Sequence, residues 1–279
     1  MTDSPLLTEN YVAVKRCRHG LMAYNTNDLY IGRSFDRYGE WCESEIDLLT
    51  ALLKPGDIVL DVGANIGSHT IPLAKAVAPS GVVFAIEPQR LCYQMLCGNV
   101  AINAILNVFA MQIAATETPM SLQIPVIQPT LEFNYGCLAA EGHGKGEQVP
   151  GVPIDNLGLP RCNLIKMDVE GMESKALRGA ANTLKKHRPI LFVENNTTDD
   201  SGALITLLEE YKYSCWWHLA HYYNPDNFYG CKDDLFTGIQ PEANMLCFPV
   251  EQQVIRSDLI AVEGKNDNWL KAFERSQLS

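Results

Sequence analysis

The nine cysteines of this 279-residue chain include no C-x-x-C pair, and they are odd in number and scattered. Neither a disulfide framework nor a structural zinc site is therefore indicated. No apolar run approaches the roughly 20 residues that a membrane-crossing helix needs. The start, Met1-Thr-Asp-Ser-Pro5, lacks the charged-then-apolar order of a leader peptide, so the chain reads as soluble and cytoplasmic, with no membrane partner. Positive charge is in deficit: 22 Lys and Arg stand against 33 Asp and Glu, a formal net charge of −11. Nucleic acid demands a basic surface and is not expected as a partner. There is no internal repeat and no low-complexity segment.

What is present is enough apolar material, 47% of residues, for a sizeable core. Residues 1–45 carry alternating, β-prone pieces (Tyr11 to Arg16, Leu21 to Tyr24, Leu29 to Ile31) and the start of a lead-in helix whose apolar stripe is Ile46, Leu48, Leu49, Leu52 and Leu53. From Asp57 the pattern alternates strand and helix. Ile58 to Leu60, Val82 to Ile86, Val108 to Ala114, Cys162 to Met167, Ile190 to Val193 and Tyr213 to Trp217 read as strands, separated mostly by helical stretches that include Met172 to Arg188. Such alternation gives an α/β, Rossmann-like fold whose mostly parallel sheet is covered on both faces. Ala243 to Phe248 returns antiparallel, because no helix separates it from its predecessor. Residues 46–250 are thus expected to form one domain and 251–279 a tail. The glycine string Gly142-His-Gly-Lys-Gly146 has no strand before it and no Gly-Lys-Ser/Thr closure, and reads as a surface loop.

Four of the strands end in an acid: Asp61, Glu87, Asp168 and Glu194. Carboxyl ends of parallel strands share one crevice, so these acids define a pocket. The turn Asp61-Val-Gly-Ala-Asn-Ile-Gly67 brings backbone N–H groups and a carboxylate to its rim, as an adenosine-containing cofactor requires. Asn65 replaces the second glycine of G-x-G-x-x-G, which argues against a pyrophosphate and so against the alternative of an NAD-dependent oxidoreductase. Glu87, at the tip of the second strand, is placed to accept both hydroxyls of a ribose.

Asp61-Val-Gly-Ala-Asn-Ile-Gly67, Glu87-Pro88, Leu164-Ile-Lys-Met-Asp-Val-Glu-Gly-Met-Glu173 and Arg188-Pro-Ile-Leu-Phe-Val-Glu194 together resemble the FkbM-type methyltransferases, a branch of the class I S-adenosylmethionine-dependent enzymes. The resemblance implies that Asp61 and the turn through Gly63, Ala64, Asn65 and Gly67 hold the methionine part of S-adenosylmethionine. It gives Glu87 with Pro88 the ribose, Ala114 and Ala115 the adenine border, and Glu43 or Glu45 the α-amino group. Asp168 would lie beside the sulfonium and the acceptor. The reaction implied is O-methylation of a small-molecule hydroxyl, on a sugar, glycan or polyketide-type metabolite, with N-methylation of a small molecule or macromolecule as the alternative.

A hydroxyl needs a base or a metal to take its proton. Asp168 and Glu194 are the carboxylate candidates, and His218, read as opening the aromatic loop 219–240, is the imidazole candidate. Asp168, Glu194 and Asn195 also match in type and order the magnesium ligands of catechol-type O-methyltransferases, and oxygen ligands suit Mg2+. The loop itself, with Tyr222, Tyr223 and Phe236, reads as an acceptor-facing lid.

Overall fold

A computed structural model of the chain describes residues 4–137 and 146–277. Strands β1 (Leu7–Glu9), β2 (Val12–Cys17) and β3 (Gly20–Asn25) form an antiparallel sheet of their own. The third β-prone piece does not join it. Leu29 to Ile31 instead leads into helix α1 (Ile31–Arg37), followed by α2 (Glu43–Ala51). Tyr24, Phe35, Tyr38 and Trp41 pack together there, so a shared aromatic core overrides the local strand preference.

The central unit runs β4 (Ile58–Val62), α3 (Thr70–Val77), β5 (Val82–Ile86), α4 (Arg90–Ile102) and β6 (Val108–Met111). The expected strand from Val108 to Ala114 breaks, and its last residues form β7 (Ala114–Ala115). This pairs with β9 (Glu147–Val152), which in turn pairs with β8 (Met120–Ile124), giving a small separate sheet that the alternation of strands and helices did not show. Gly142 to Lys145 of the glycine string lie outside the described residues.

The chain then returns through β10 (Leu164–Met167), α5 (Glu173–Arg178), α6 (Ala181–His187), β11 (Ile190–Glu194), α7 (Ser201–Glu210), β12 (Tyr213–Ala220), β13 (Glu242–Pro249), β14 (Ile260–Ala261) and α8 (Trp269–Ser276). One helix was expected over Met172 to Arg188. It divides at Gly179, where a Cβ would stand 2.0 Å from the Thr116 carbonyl oxygen. The main sheet has the order β14-β12-β13-β11-β10-β4-β5-β6. Its centre is parallel, and β13 runs antiparallel between β11 and β12, as the missing crossover helix requires.

Ile58-Val-Leu-Asp-Val62 is apolar almost throughout because both faces of β4 are covered. Leu60 and Val62 face one core with Ile165 and Leu177; Val59 faces another with Leu73 and Phe192. Residues 251–279 contribute an edge strand and α8, anchored by Trp217 Nε1 donating to Asp267 Oδ2 at 3.0 Å. No helix among the described residues is long and apolar enough to cross a membrane.

Candidate active site

A cavity of about 500 Å3 opens at the carboxyl ends of β4, β5, β10 and β11. One wall comes from the two turns after β4 and β5. Gly63 takes φ +80°, and a Cβ on it would lie 1.7 Å from the Asp168 carbonyl oxygen, so only glycine lets these strand ends approach. Asn65, at φ 49°, tolerates the left-handed region as few side chains do. Its N–H donates to Glu87 Oε2 at 2.8 Å, and the Gln89 N–H donates to Oε1 at 2.7 Å. Burial pushes the Glu87 carboxyl up to about 7, against the pull of those two N–H groups. Each oxygen holds one backbone donor and keeps a lone pair for a further one. That pair of acceptors fits a ribose diol. Pro88, Ala114 and Ala115 continue this wall.

Three residues of the turn lie behind the wall. Asp61 is fully buried and does not line the cavity: Thr70 Oγ1 donates to its Oδ2 at 2.6 Å, while Oδ1, without a hydrogen-bond partner among the described residues, lies 3.7 Å from Lys166 Nζ. Asp61 thus fixes the turn from beneath rather than offering a carboxylate to a ligand. Ala64 packs against Ala85 and Leu96. At Gly67 a Cβ would meet Leu96 Cδ1 at 2.9 Å, so this glycine serves packing of the turn on α4.

Of the two acids at the start of α2, the cavity takes Glu45 and not Glu43. The Glu43 carboxylate turns toward the N-terminal sheet, with its oxygens 2.8 and 2.9 Å from His19 Nε2. Glu45 Oε1 accepts from Asn244 Nδ2 at 2.9 Å and Oε2 lies 3.1 Å from His69 Nε2. Burial raises the Glu45 carboxyl to about 7 and, with the nearby Lys166 charge, lowers the His69 imidazole to about 4. Two positions along a helix face different ways, which composition alone does not resolve.

At the centre stands Lys166, beside Asp61 in the β4–β10 register. Its Nζ donates to the Gly63 carbonyl at 3.1 Å and to Asp168 Oδ2 at 3.2 Å. Burial opposes its charge, but Asp168, Asp61 and Glu45 together outweigh burial and raise its pKa. Lys166 was missed in the sequence, although it stands on β10 two residues before Asp168, which follows the strand's last residue, and a two-residue spacing in extended chain turns both to one side.

The opposite wall is acidic and aromatic. Oxygens of Asp168, Glu170 and Glu194 lie within 4.8 Å of one another. Glu242, at the start of β13, accepts from the Tyr222 hydroxyl, and Tyr222 stacks on Trp41 with centroids 5.1 Å apart. Glu170 and Glu242 carried no sequence signal as site residues. Burial first, and neighbouring carboxylates second, push Glu170 up to about 9 and Glu242 up to about 8, and raise Glu194 well above the ordinary carboxyl range.

The expected Asp168, Glu194 and Asn195 magnesium set is not assembled. Side chains alternate at the end of β11, so Asn196 joins Glu194 at the cavity, whereas Asn195 Nδ2 donates to Ser201 Oγ at 3.0 Å. His218 is displaced as well. Strand β12 continues to Ala220, two residues past it, so the ring lies on the sheet against Phe192, 5.7 Å between centroids, outside the cavity lining and with Nδ1 unpartnered among the described residues. The lid loop contributes Tyr222 and Gln240 to the cavity, while Phe236 is buried with Tyr30, Tyr38 and Trp41.

Comparison with known proteins adds to this geometry. The family model described as a methyltransferase FkbM domain matches residues 61–215. The hexuronic acid methyltransferase AglP of Haloferax volcanii is 27% identical over 193 residues, 66% of this chain and 74% of its own length. Methyltransferase sdnD of Sordaria araneosa is 26% identical over 163 residues, 46% of this chain and 62% of its own length. The crystal structure of a methyltransferase FkbM from Methylobacillus flagellatus aligns with TM-score 0.46 and 19% identity over 73% of this chain and 50% of that one, so this chain spans half its length.

Proposed function

Because the chain belongs to the FkbM methyltransferase family, we propose that it transfers the methyl group of S-adenosylmethionine to a hydroxyl oxygen of a small acceptor, a sugar or a polyketide-type metabolite. The observation that carries this reading is that a single cavity is walled on one side by Glu87, Ala114 and Ala115 and on the other by Asp168, Trp41 and Tyr222. A relative that methylates a hexuronic acid supports the sugar class.

When bound, S-adenosylmethionine supplies a methyl carbon activated by a sulfonium charge. In this reading Glu87 accepts from the ribose hydroxyls, and Glu45, in place of Glu43, receives the α-amino group. Asp168, oriented by Lys166, takes the acceptor's proton. Trp41 and Tyr222 carry the acceptor and keep water off the reacting line. Fixing nucleophile, carbon and sulfur in line is worth on the order of 7 kcal/mol of the barrier. Asn195, whose amide is hydrogen-bonded to Ser201, takes no part in this reading.

The test is isothermal titration with S-adenosylmethionine and S-adenosylhomocysteine, followed by transfer of a labelled methyl group to a panel of hydroxyl acceptors. Micromolar binding of both ligands is expected. Failure of either to bind at high micromolar concentration would remove the reading.

A further inference from the structure

The acceptor side of the cavity is unbalanced in charge. Among the described residues the one Lys or Arg that lines it is Lys166, and that ammonium is already engaged by the Gly63 carbonyl and Asp168. His69, lowered to about 4, is neutral near physiological pH. Glu170, Glu194 and Glu242 remain without a cation of their own. Glu194 is only 6% exposed, yet one of its carboxylate oxygens has a donor, Asn196 Nδ2 at 2.5 Å, and the other has none among the described residues. That second oxygen is open to the cavity, where a ligand's donor can reach it. The same Asn196 amide reaches Glu242 Oε1 at 3.5 Å, and Glu242 is held by Tyr222, which is stacked on Trp41. Carboxylates and aromatic wall therefore form one continuous surface.

Resting on the methyltransferase reading above, we propose that the acceptor is a hydroxyl compound of the amino-sugar class, bound with its ammonium against Glu194 and Glu242 and its ring on the Trp41–Tyr222 face. An ammonium supplies a donor to the Glu194 oxygen that faces the cavity without one, and the positive charge that lets these acids ionise together. A ring with C–H groups on one face suits the stacked aromatics, which also attract a nearby cation. An anionic acceptor such as a hexuronic acid brings no positive charge to let these acids ionise.

The arrangement also selects oxygen over nitrogen. The nitrogen of an ammonium has no free lone pair, so the hydroxyl is the nucleophile. The C–O bond forms as the S–C bond breaks, the hydroxyl proton passes to Asp168, the ammonium keeps its protons, and sulfur leaves as the neutral thioether of S-adenosylhomocysteine.

The experiment titrates the protein saturated with S-adenosylhomocysteine with glucosamine, glucose and glucuronate near neutral pH, with and without EDTA. Glucosamine is expected to bind on the order of tenfold more tightly than glucose, with glucuronate weakest. Glu194→Gln and Glu242→Gln should each erase most of that preference while S-adenosylhomocysteine affinity stays within a factor of about two. The proposal is overturned if glucose or glucuronate binds as well as glucosamine, or if none binds at tens of millimolar. It is also overturned if the preference appears only with added Mg2+ and vanishes in EDTA, which would assign the acids to a metal. S-adenosylhomocysteine binding in the same titrations separates the two failures: its loss removes the methyltransferase reading, its persistence confines the failure to the acceptor class.

Discussion

Replacing Glu87 with alanine removes the one carboxylate that ties the turns after β4 and β5 together at the cavity wall. Two backbone N–H groups, of Asn65 and Gln89, lose their acceptor, at about 1–3 kcal/mol each when buried. Acting against this is the charge. The Glu87 carboxyl is raised by burial from 4.5 to about 7, so above that pH its ionised form costs the fold about 3 kcal/mol. The substitution relieves that cost, and the two effects largely offset in stability. Under the proposed binding mode there is no such offset in affinity, because the ribose hydroxyls would lose their acceptor in every state. The loss is about 1–3 kcal/mol, or roughly 5- to 150-fold in Kd. Titration of Glu87→Ala with S-adenosylhomocysteine at slightly alkaline pH, with circular dichroism as a folding control, reads this directly. A folded variant with wild-type affinity would show that the ribose lies elsewhere.

The remaining predictions use the same site. Glu45 and Glu87, raised to about 7, and Glu242, raised to about 8, bind protons more readily folded than unfolded. The stability they contribute is complete below about 4.5 and lost as pH rises through their folded values. His69, lowered to about 4, opposes them only below its unfolded value of 6.5. Melting temperature should therefore fall from about pH 6.5 to about pH 8.5, and a flat or rising profile would contradict the assignment. Thr70→Val strips Asp61 Oδ2 of its 2.6 Å donor in a fully buried place; a loss of about 2–3 kcal/mol, some 3–5 °C in Tm for a chain of this length, is expected in a thermal melt, and an unchanged Tm would refute it. Gly63→Ala forces a Cβ toward the Asp168 carbonyl at φ +80°. S-adenosylhomocysteine binding should be undetectable by calorimetry in a folded variant, and retained affinity would mean that the strand ends can part without harm.

The sequence determined the frame of this protein. Uninterrupted apolar runs such as Ile58 to Leu60 and Ile190 to Val193 can only be strands covered on both faces, and a helix between each pair forces them parallel. Acids at Asp61, Glu87, Asp168 and Glu194 then fall at one rim by topology alone. The absence of a helix before Ala243 gave β13 its antiparallel sense. All of these follow from spacing along the chain, which is local information.

Only the tertiary structure decided which of those residues face the cavity. Asp61 is turned beneath the wall by Thr70 and Lys166, Glu43 is drawn off by His19, and Asn195 by Ser201. Helix α5 ends at Gly179 because the Thr116 backbone lies against it, a contact across more than 60 residues of chain. Glu242 became a site residue because β13 inserts beside β11, and Tyr222 because its ring finds Trp41. Direction of a side chain depends on partners far away in sequence, and no local pattern encodes it.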